Sequence, residues 1–261
     1  MAKQNYTLGR GKVFVSRYVN GVASGAYDYI GNTPEFSLNI ESETLDHYSS
    51  DEGIREKDDS VPLEVNRTGS MTTDNINPKN VALFFFGSES TLTQASVASA
   101  TETLTGIKDG SSYKLGVTQS NPVGYFGIDE TGFAVAVAPG GTALVEGVDY
   151  TMDFANGMIQ FIEGSLIATD GTDIEVTYAV AASTRSRVIS GSEPVECAIR
   201  YTTKNPKGED CQFFFPYVKL TPNGDYALKG DEWQQIPLSM EILKPLSGEA
   251  IYRDGVPTRT P

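Results

Sequence analysis

The chain of 261 residues is poor in the side chains that build disulfide networks and metal centres, with two cysteines and one histidine. Cys197 and Cys211 are too few for a disulfide framework or a cysteine-based zinc site, so we expect two buried free thiols in a reducing compartment. His47 stands in a polar segment, and no Gly-x-Ser-x-Gly motif supplies a nucleophile for it. We therefore predict no catalytic residue, no metal ligand, no cofactor and no enzymatic activity.

Basic residues are also scarce, because 20 lysines and arginines face 34 aspartates and glutamates, which gives a net charge of −14. Proteins that bind nucleic acid phosphates need clustered basic side chains, so the excess of acidic residues argues against such binding. The negative charge is still compatible with a protein past which DNA moves without being bound. Long apolar runs are absent, so we expect no membrane partner. The N-terminal segment lacks the apolar region of a secretory signal, so we expect no export.

The residues that are abundant favour short strands joined by turns, namely 26 glycines, 13 prolines and 13 tyrosines. Alternation places Val13, Val15 and Val19 on one face of a strand that ends at Asn20-Gly21, a hairpin signal. Residues 35–41 alternate in the same way, with an apolar face and an acidic face. Val61, Leu63 and Val65 repeat the pattern. The sequence predicts a mainly β protein.

One short segment is typical of a helix. Asn77 is a suitable N-cap, Pro78 occupies the first helical position, and Gly87 follows an apolar run over residues 81–86. A buried strand is the alternative, because short apolar runs are ambiguous by periodicity. The cap and the proline favour the helix.

Changes in composition divide the chain into three parts. We predict a β-sandwich over residues 1–105, an inserted small β module over 106–182, and the second part of the sandwich with a C-terminal arm over 183–261. Residues 88–105, rich in serine, threonine and alanine, suit a linker or a polar edge strand. The extended arm is expected from Lys244 onward, and a strand is expected at Tyr226-Ala227-Leu228.

The stretch from Glu41 to Asp59 is dense in carboxylates. The order of its oxygen-bearing residues does not match a calcium-binding EF-hand loop. A carboxylate pair for glycoside hydrolysis stays open, because such a pair is formed in space and not in sequence. We predict a solvated, mobile loop here.

Two stretches carry a resemblance to a known family. The first runs from Val61-Pro62-Leu63 through Thr73-Asp74-Asn75-Ile76 to Gly87, and the second from Pro194 to Lys244, with Asn205-Pro206-Lys207-Gly208 and Pro222-Asn223-Gly224. In this order they resemble the tail tube proteins of long-tailed, siphovirus-type bacteriophages. Together they cover about half of the chain. Residues 106–182 look like the extra β module that some tail proteins carry.

The resemblance implies a tail-tube-type β-sandwich with one short flanking helix and a small all-β insertion. Six protomers would form a ring whose inner sheets join into a hexameric barrel. Stacked rings would form the virion's tail tube, made in the bacterial cytoplasm. The implied partners are other copies of the chain, a tape measure protein and a tail terminator. Viral DNA would pass through during ejection without sequence-specific binding.

The resemblance also implies two sets of site residues. The expected contact between rings is the loop residues Thr44, Leu45, Asp46, His47, Tyr48, Asp51, Glu52, Arg55, Asp58 and Asp59. The expected lumen-facing residues are Glu35, Ser37, Asn39, Glu41, Gln235, Ser239 and Glu241.

Two other functions remain open from the sequence. A virion decoration or adhesin module would bind carbohydrate on the host surface through aromatic residues such as Tyr113, Tyr125 and Phe126. Aromatic side chains of this kind more often belong to a hydrophobic core. An acidic β-sandwich hydrolase is the remaining alternative, and no convincing acid/base pair supports it.

Overall fold

A computed structural model describes residues 5–51, 53–164 and 171–257. Strands dominate these residues, and the chain is mainly β, as the alternating pattern predicts. In the described part of the chain, no helix has the length and apolar character needed to cross a membrane. The chain divides into two compact units, one formed by residues 1–90 with 187–261 and the other by 91–186.

The strands of the first unit form a sheet in the order β2-β1-β14-β15-β16-β5-β4, with β3 beside β1 and β17 beside β15. All of the pairs are antiparallel. The strands of this sheet are β1 (Gly11–Val19), β2 (Val22–Ala23), β3 (Asp28–Tyr29), β4 (Glu35–Ser49), β5 (Glu56–Thr73), β14 (Val195–Thr203), β15 (Cys211–Pro222), β16 (Ile236–Leu243) and β17 (Tyr252–Gly255).

The second unit holds two three-stranded sheets, ordered β7-β12-β9 and β10-β11-β8, around its own apolar core. Two further strands, β6 and β13, pair with one another, and the boundary between the units falls within both. The strands concerned are β6 (Ser88–Gln94), β7 (Val97–Ile107), β8 (Ser112–Lys114), β9 (Ile128–Val137), β10 (Tyr150–Asp153), β11 (Met158–Phe161), β12 (Thr172–Val180) and β13 (Ser183–Ile189).

The sheet of the first unit curls over its core. The ring of Phe36 on β4 lies 5.2 Å from the ring of Tyr201 on β14. These strands are four steps apart in the sheet, which in a flat sheet separates them by roughly 19 Å. The apolar face of the β4 end therefore packs against the apolar face of the β14 end, and one buried cluster draws on both. The outer faces of the two ends consequently point away from each other.

The predicted helix is confirmed as α1 (Pro78–Phe84). The Asn77 side chain accepts a 2.9 Å hydrogen bond from the Asn80 backbone N–H, which satisfies one of the free donors of the first turn. Ala82 and Leu83 are buried, and the helix packs against β15 and β16. The Asn80 amide donates to the carbonyls of Ile30 and Asn75, which ties the helix to the loops beside it.

Several local predictions are confirmed. Asn20 and Gly21 both have positive φ and turn β1 into β2. Alternate side chains of β14 and β16 are buried, in keeping with the apolar residues at every second position of 195–201 and 236–242. Cys197 and Cys211 are buried free thiols.

Other local predictions are wrong. Of the two interpretations of residues 88–105, the linker is wrong and the polar edge strand is right, because β6 and β7 occupy most of these residues and β7 lies at the edge of its sheet. The segment at Tyr226 is not a strand. The tail after Lys244 is not a free arm as far as residue 255, since Ala250 is buried and β17 pairs with β15. Residues 258–261 of that predicted arm lie outside the described residues.

Candidate functional site

The stretch from Glu41 to Asp59, predicted to be a mobile loop, belongs to a β-hairpin. Strands β4 and β5 pair from Glu35↔Thr72 to Ser49↔Glu56, whereas β16 covers β5 only over Thr68–Thr73. Among the described residues, no further strand pairs with residues 40–51 and 53–67, so they form a two-stranded ribbon; we call residues 40–67 the arm. Ten residues of extended chain give it a length of about 30 Å. The prediction of disorder failed because cross-strand pairs, which a single strand does not reveal, satisfy the backbone here.

The structure places the predicted inter-ring residues along the outer half of the arm. Thr44, Leu45, Asp46, His47 and Tyr48 belong to β4, and Asp58 and Asp59 belong to β5. Asp51 and Arg55 lie in the connection between these strands, and Glu52 lies outside the described residues.

Polar contacts join the two strands of the arm near its tip. The His47 Nδ1 lies 2.5 Å from the Asp58 Oδ1, and the Lys57 Nζ lies 2.6 Å from the Asp46 Oδ1. The hydrogen bond with His47 lowers the pKa of Asp58, and the hydrogen bond from Lys57 lowers the pKa of Asp46. His47, Lys57 and Asp58 are exposed and Asp46 is partly exposed, so solvent screens both pairs, and they fix the geometry of the hairpin more than they stabilise it.

One face of the arm carries an apolar stripe, formed by Leu38, Ile40, Leu63 and Val65. It continues the core-facing side of β4 and β5, where Phe36 lies opposite the buried Met71. The sequence pattern predicts burial for all of these side chains. Ile40 is 58% exposed and Leu63 is 62% exposed, because the arm extends beyond the core that would cover them. Within the described part of the chain, most of the surface of Ile40 and Leu63 is left open to water.

The opposite face of the same strands is polar, and most of the predicted lumen-facing residues lie in rows across it. One row is Ser37, Ser70 and Ser239, with 2.8 Å between the Ser37 and Ser70 hydroxyl oxygens. The next row is Asn39, Thr68 and Glu241. Glu35 and Glu41 stand on the same face of β4, and Gln235 immediately precedes β16.

The sequence prediction missed the contribution of β5 to this face, which is Asn66, Thr68, Ser70 and Thr72. Their period-2 spacing was a usable signal for a polar strand face.

A surface cavity of about 570 Å³ lies in the first unit beside Arg17, Glu193, Glu196 and Lys219. Three of these charged groups, Arg17, Glu196 and Lys219, contact neighbouring groups of the fold. The Arg17 guanidinium donates a 2.8 Å hydrogen bond to the Gly87 carbonyl. The Tyr217 hydroxyl donates to Glu196 at 2.6 Å, which raises the pKa of Tyr217 to about 12. Within the described ranges, no group of three or more His, Cys, Asp or Glu side chains is placed to hold a metal ion.

Two of the three aromatic residues proposed for carbohydrate binding pack against the core of the second unit. Tyr113 contacts Phe161, and Tyr125 contacts Tyr178, with ring centroids 5.9 and 6.3 Å apart. Phe126 is half-buried and is flanked by Lys114 and Arg185 at 3.8 and 4.4 Å from its ring centroid. Two of the rings therefore serve the core, and both cations occupy positions against the third.

A family model described as "Protein of unknown function UCP028589" matches residues 6–249 of the chain. The chain belongs to this family. No curated protein matches it. The family description names no activity. The arm and the polar face are the two surfaces of the chain from which a function can be inferred.

Proposed function

We propose that this member of the UCP028589 family is a structural protein that self-assembles into the tail tube of a bacteriophage virion. The arm carries the proposal. A ribbon about 30 Å long with large apolar side chains on exposed strands would promote aggregation of a monomeric protein. Exposed apolar patches of this kind commonly mark interaction sites. In the proposed tube, the arm reaches a neighbouring ring and the apolar stripe becomes buried there.

The curled sheet supports a tail-tube-type sandwich. Among the described residues, β4 pairs only with β5, so its outer edge is open for a strand of the next protomer. Six protomers joined in this way would close a hexameric barrel without free edges. The flanking helix α1 and the small all-β unit at residues 91–186 complete the proposed architecture.

The polar face of β4, β5 and β16 suits the lining of a channel for DNA. Its hydroxyl and amide groups hold water, and Glu35, Glu41 and Glu241 repel phosphate. Each repulsion is about 1 kcal/mol or less at a few ångströms in water and is screened beyond roughly 8–10 Å. DNA would therefore pass without adhering. A tape measure protein would fill the channel before ejection, and a tail terminator would close the tube.

Negative-stain electron microscopy of the purified protein tests the proposal, across a range of protein and salt concentrations. We expect rings or hollow tubes. A matched variant replaces residues 44–63 with Asn-Gly, which joins the directly opposed Glu43 and Glu64 through a two-residue turn. It should fold and fail to form tubes. Wild-type protein that stays monomeric under every condition would contradict the proposal, and tubes from the shortened variant would contradict the role of the arm.

A further inference from the structure

The outer face of the sheet at the β1 end is a row of aromatic residues and an arginine. Cross-strand pairing aligns Tyr29, Phe14, Arg200, Phe214 and Tyr252 on β3, β1, β14, β15 and β17. The Arg200 guanidinium lies 4.0 Å from the Phe214 ring centroid, and Tyr29 and Tyr252 are exposed. This surface points away from the polar face at the β4 end. We call it the cation–aromatic face.

A second cation belongs to this face. Lys12 is exposed one row further along β1, with its Nζ 5.4 Å from the Tyr29 ring centroid. Within the described part of the chain, neither Lys12 nor Arg200 takes part in an ion pair. Asp254 stands at the far end of the Lys12 row, three strands away. Exposed tyrosine and arginine are the residues that most often dominate protein interfaces.

The arm has the complementary chemistry. Residues 40–67 contain nine carboxylates and three basic side chains, and so carry −6 of the chain's net charge of −14. Glu43 and Glu64 stand directly opposite each other, and among the described residues neither has a basic partner. Like charges in this position destabilise a strand pair. A cation supplied from outside the hairpin would remove that repulsion.

An apolar rung adjoins this acidic rung on the same face of the arm. Leu45 lies opposite Val61, and the two are 63% and 52% exposed. The acidic pair Glu43–Glu64 lies next to the apolar pair Leu45–Val61 on the arm. On the cation–aromatic face, the row that begins with Lys12 likewise lies next to the aromatic row. The arm and the cation–aromatic face are therefore complementary in both charge and hydrophobicity over two adjacent rows.

We propose that the carboxylate face of the arm docks on the cation–aromatic face of a second copy. Glu43 and Glu64 then contact Lys12 and Arg200, while Leu45 and Val61 pack on the aromatic row. The two surfaces lie at opposite ends of one sheet, so the contact is head-to-tail and propagates from copy to copy. The inference rests on the proposed tube, since it names the surface that receives the carboxylate face of the arm, which lies opposite the apolar stripe.

Carbodiimide cross-linking of the assembled wild-type protein tests this contact, because the reagent joins amines to carboxylates that touch. We expect Lys12–Glu43 or Lys12–Glu64 links between copies, identified by mass spectrometry on a mixture of isotopically labelled and unlabelled protein. Links from Lys12 only to other carboxylates, or only within one copy, would overturn the proposal. This measurement needs no variant to fold.

Charge reversal gives an independent measurement. Lys12→Glu should raise the concentration needed for assembly about tenfold, since it removes one exposed ion pair and adds a repulsion. The matched control Lys108→Glu, at an exposed position of the second unit, should leave that concentration unchanged. Adding Glu43→Lys to Lys12→Glu should restore much of the loss.

The outcomes separate this inference from the tube itself. Tubes that form equally well with Lys12→Glu would overturn the docking contact and leave the proposed function standing. Association that Lys12→Glu weakens, with no ring or tube in the micrographs, would support the contact and contradict the proposed function. A protein that sedimentation velocity shows to be monomeric at every concentration would overturn the docking contact.

Discussion

Replacing two side chains of the apolar stripe, Ile40→Ser with Leu63→Ser, should strongly weaken association while the protomer stays folded. Fully burying such a side chain contributes about 1.5–3 kcal/mol. With 58% and 62% of their surface still exposed in the protomer, the two side chains have more than half of that left to gain. Together they should contribute about 2–4 kcal/mol to a contact that covers them, which raises the critical concentration roughly 30- to 1,000-fold.

The assay is light scattering or sedimentation velocity over a concentration series, with chemical denaturation in parallel. The free energy of unfolding should change by about 1 kcal/mol or less, because both positions are exposed. The matched control is Val145→Ser with Val148→Ser, which removes two side chains of similar exposure in the second unit. An unchanged critical concentration in the arm variant would refute the reasoning that the stripe is buried in assembly.

Three further predictions concern the protomer. Burial raises the pKa of the Cys197 thiol to about 12. A thiol reagent should therefore not react with Cys197 at neutral pH until denaturant is added. Rapid reaction of Cys197 in the native protein would contradict its burial. Asn77→Ala should lower the free energy of unfolding by about 1 kcal/mol in a denaturant titration, whereas Asn77→Asp should retain the cap. The pKa values of Asp46 and Asp58 are lowered in the fold, so their stabilising contribution is present above the ordinary aspartate value of 3.8 and is lost as the pH falls through the lowered pKa values. Hydrogen exchange of the arm amides, corrected for the intrinsic rate, should therefore accelerate below that pH, and unchanged protection would show that the two contacts do not hold the tip.

Local chemistry in the sequence determined several elements of this protein. The helix followed from Asn77 and Pro78, and the first hairpin from Asn20-Gly21, because caps and turns depend on neighbouring residues. The buried sides of β14 and β16 followed from strict alternation, since a strand covered on one face needs apolar side chains at every second position. The polar residues on β4 and β16 were also identified from alternation. Their alignment into common rows required the pairing register.

Only the tertiary structure decided which apolar residues at alternating strand positions are buried and which are exposed. Ile40 and Leu63 follow the same pattern as the buried residues of β16, yet they are exposed because the arm extends past the core. The arm itself was invisible in sequence, since an acidic stretch becomes a hairpin only when the returning strand supplies partners such as Asp58 for His47. The cation–aromatic face was equally hidden. Its row is assembled from five strands that are distant in the chain, and sequence alternation assigns side chains to faces without saying which strands are neighbours.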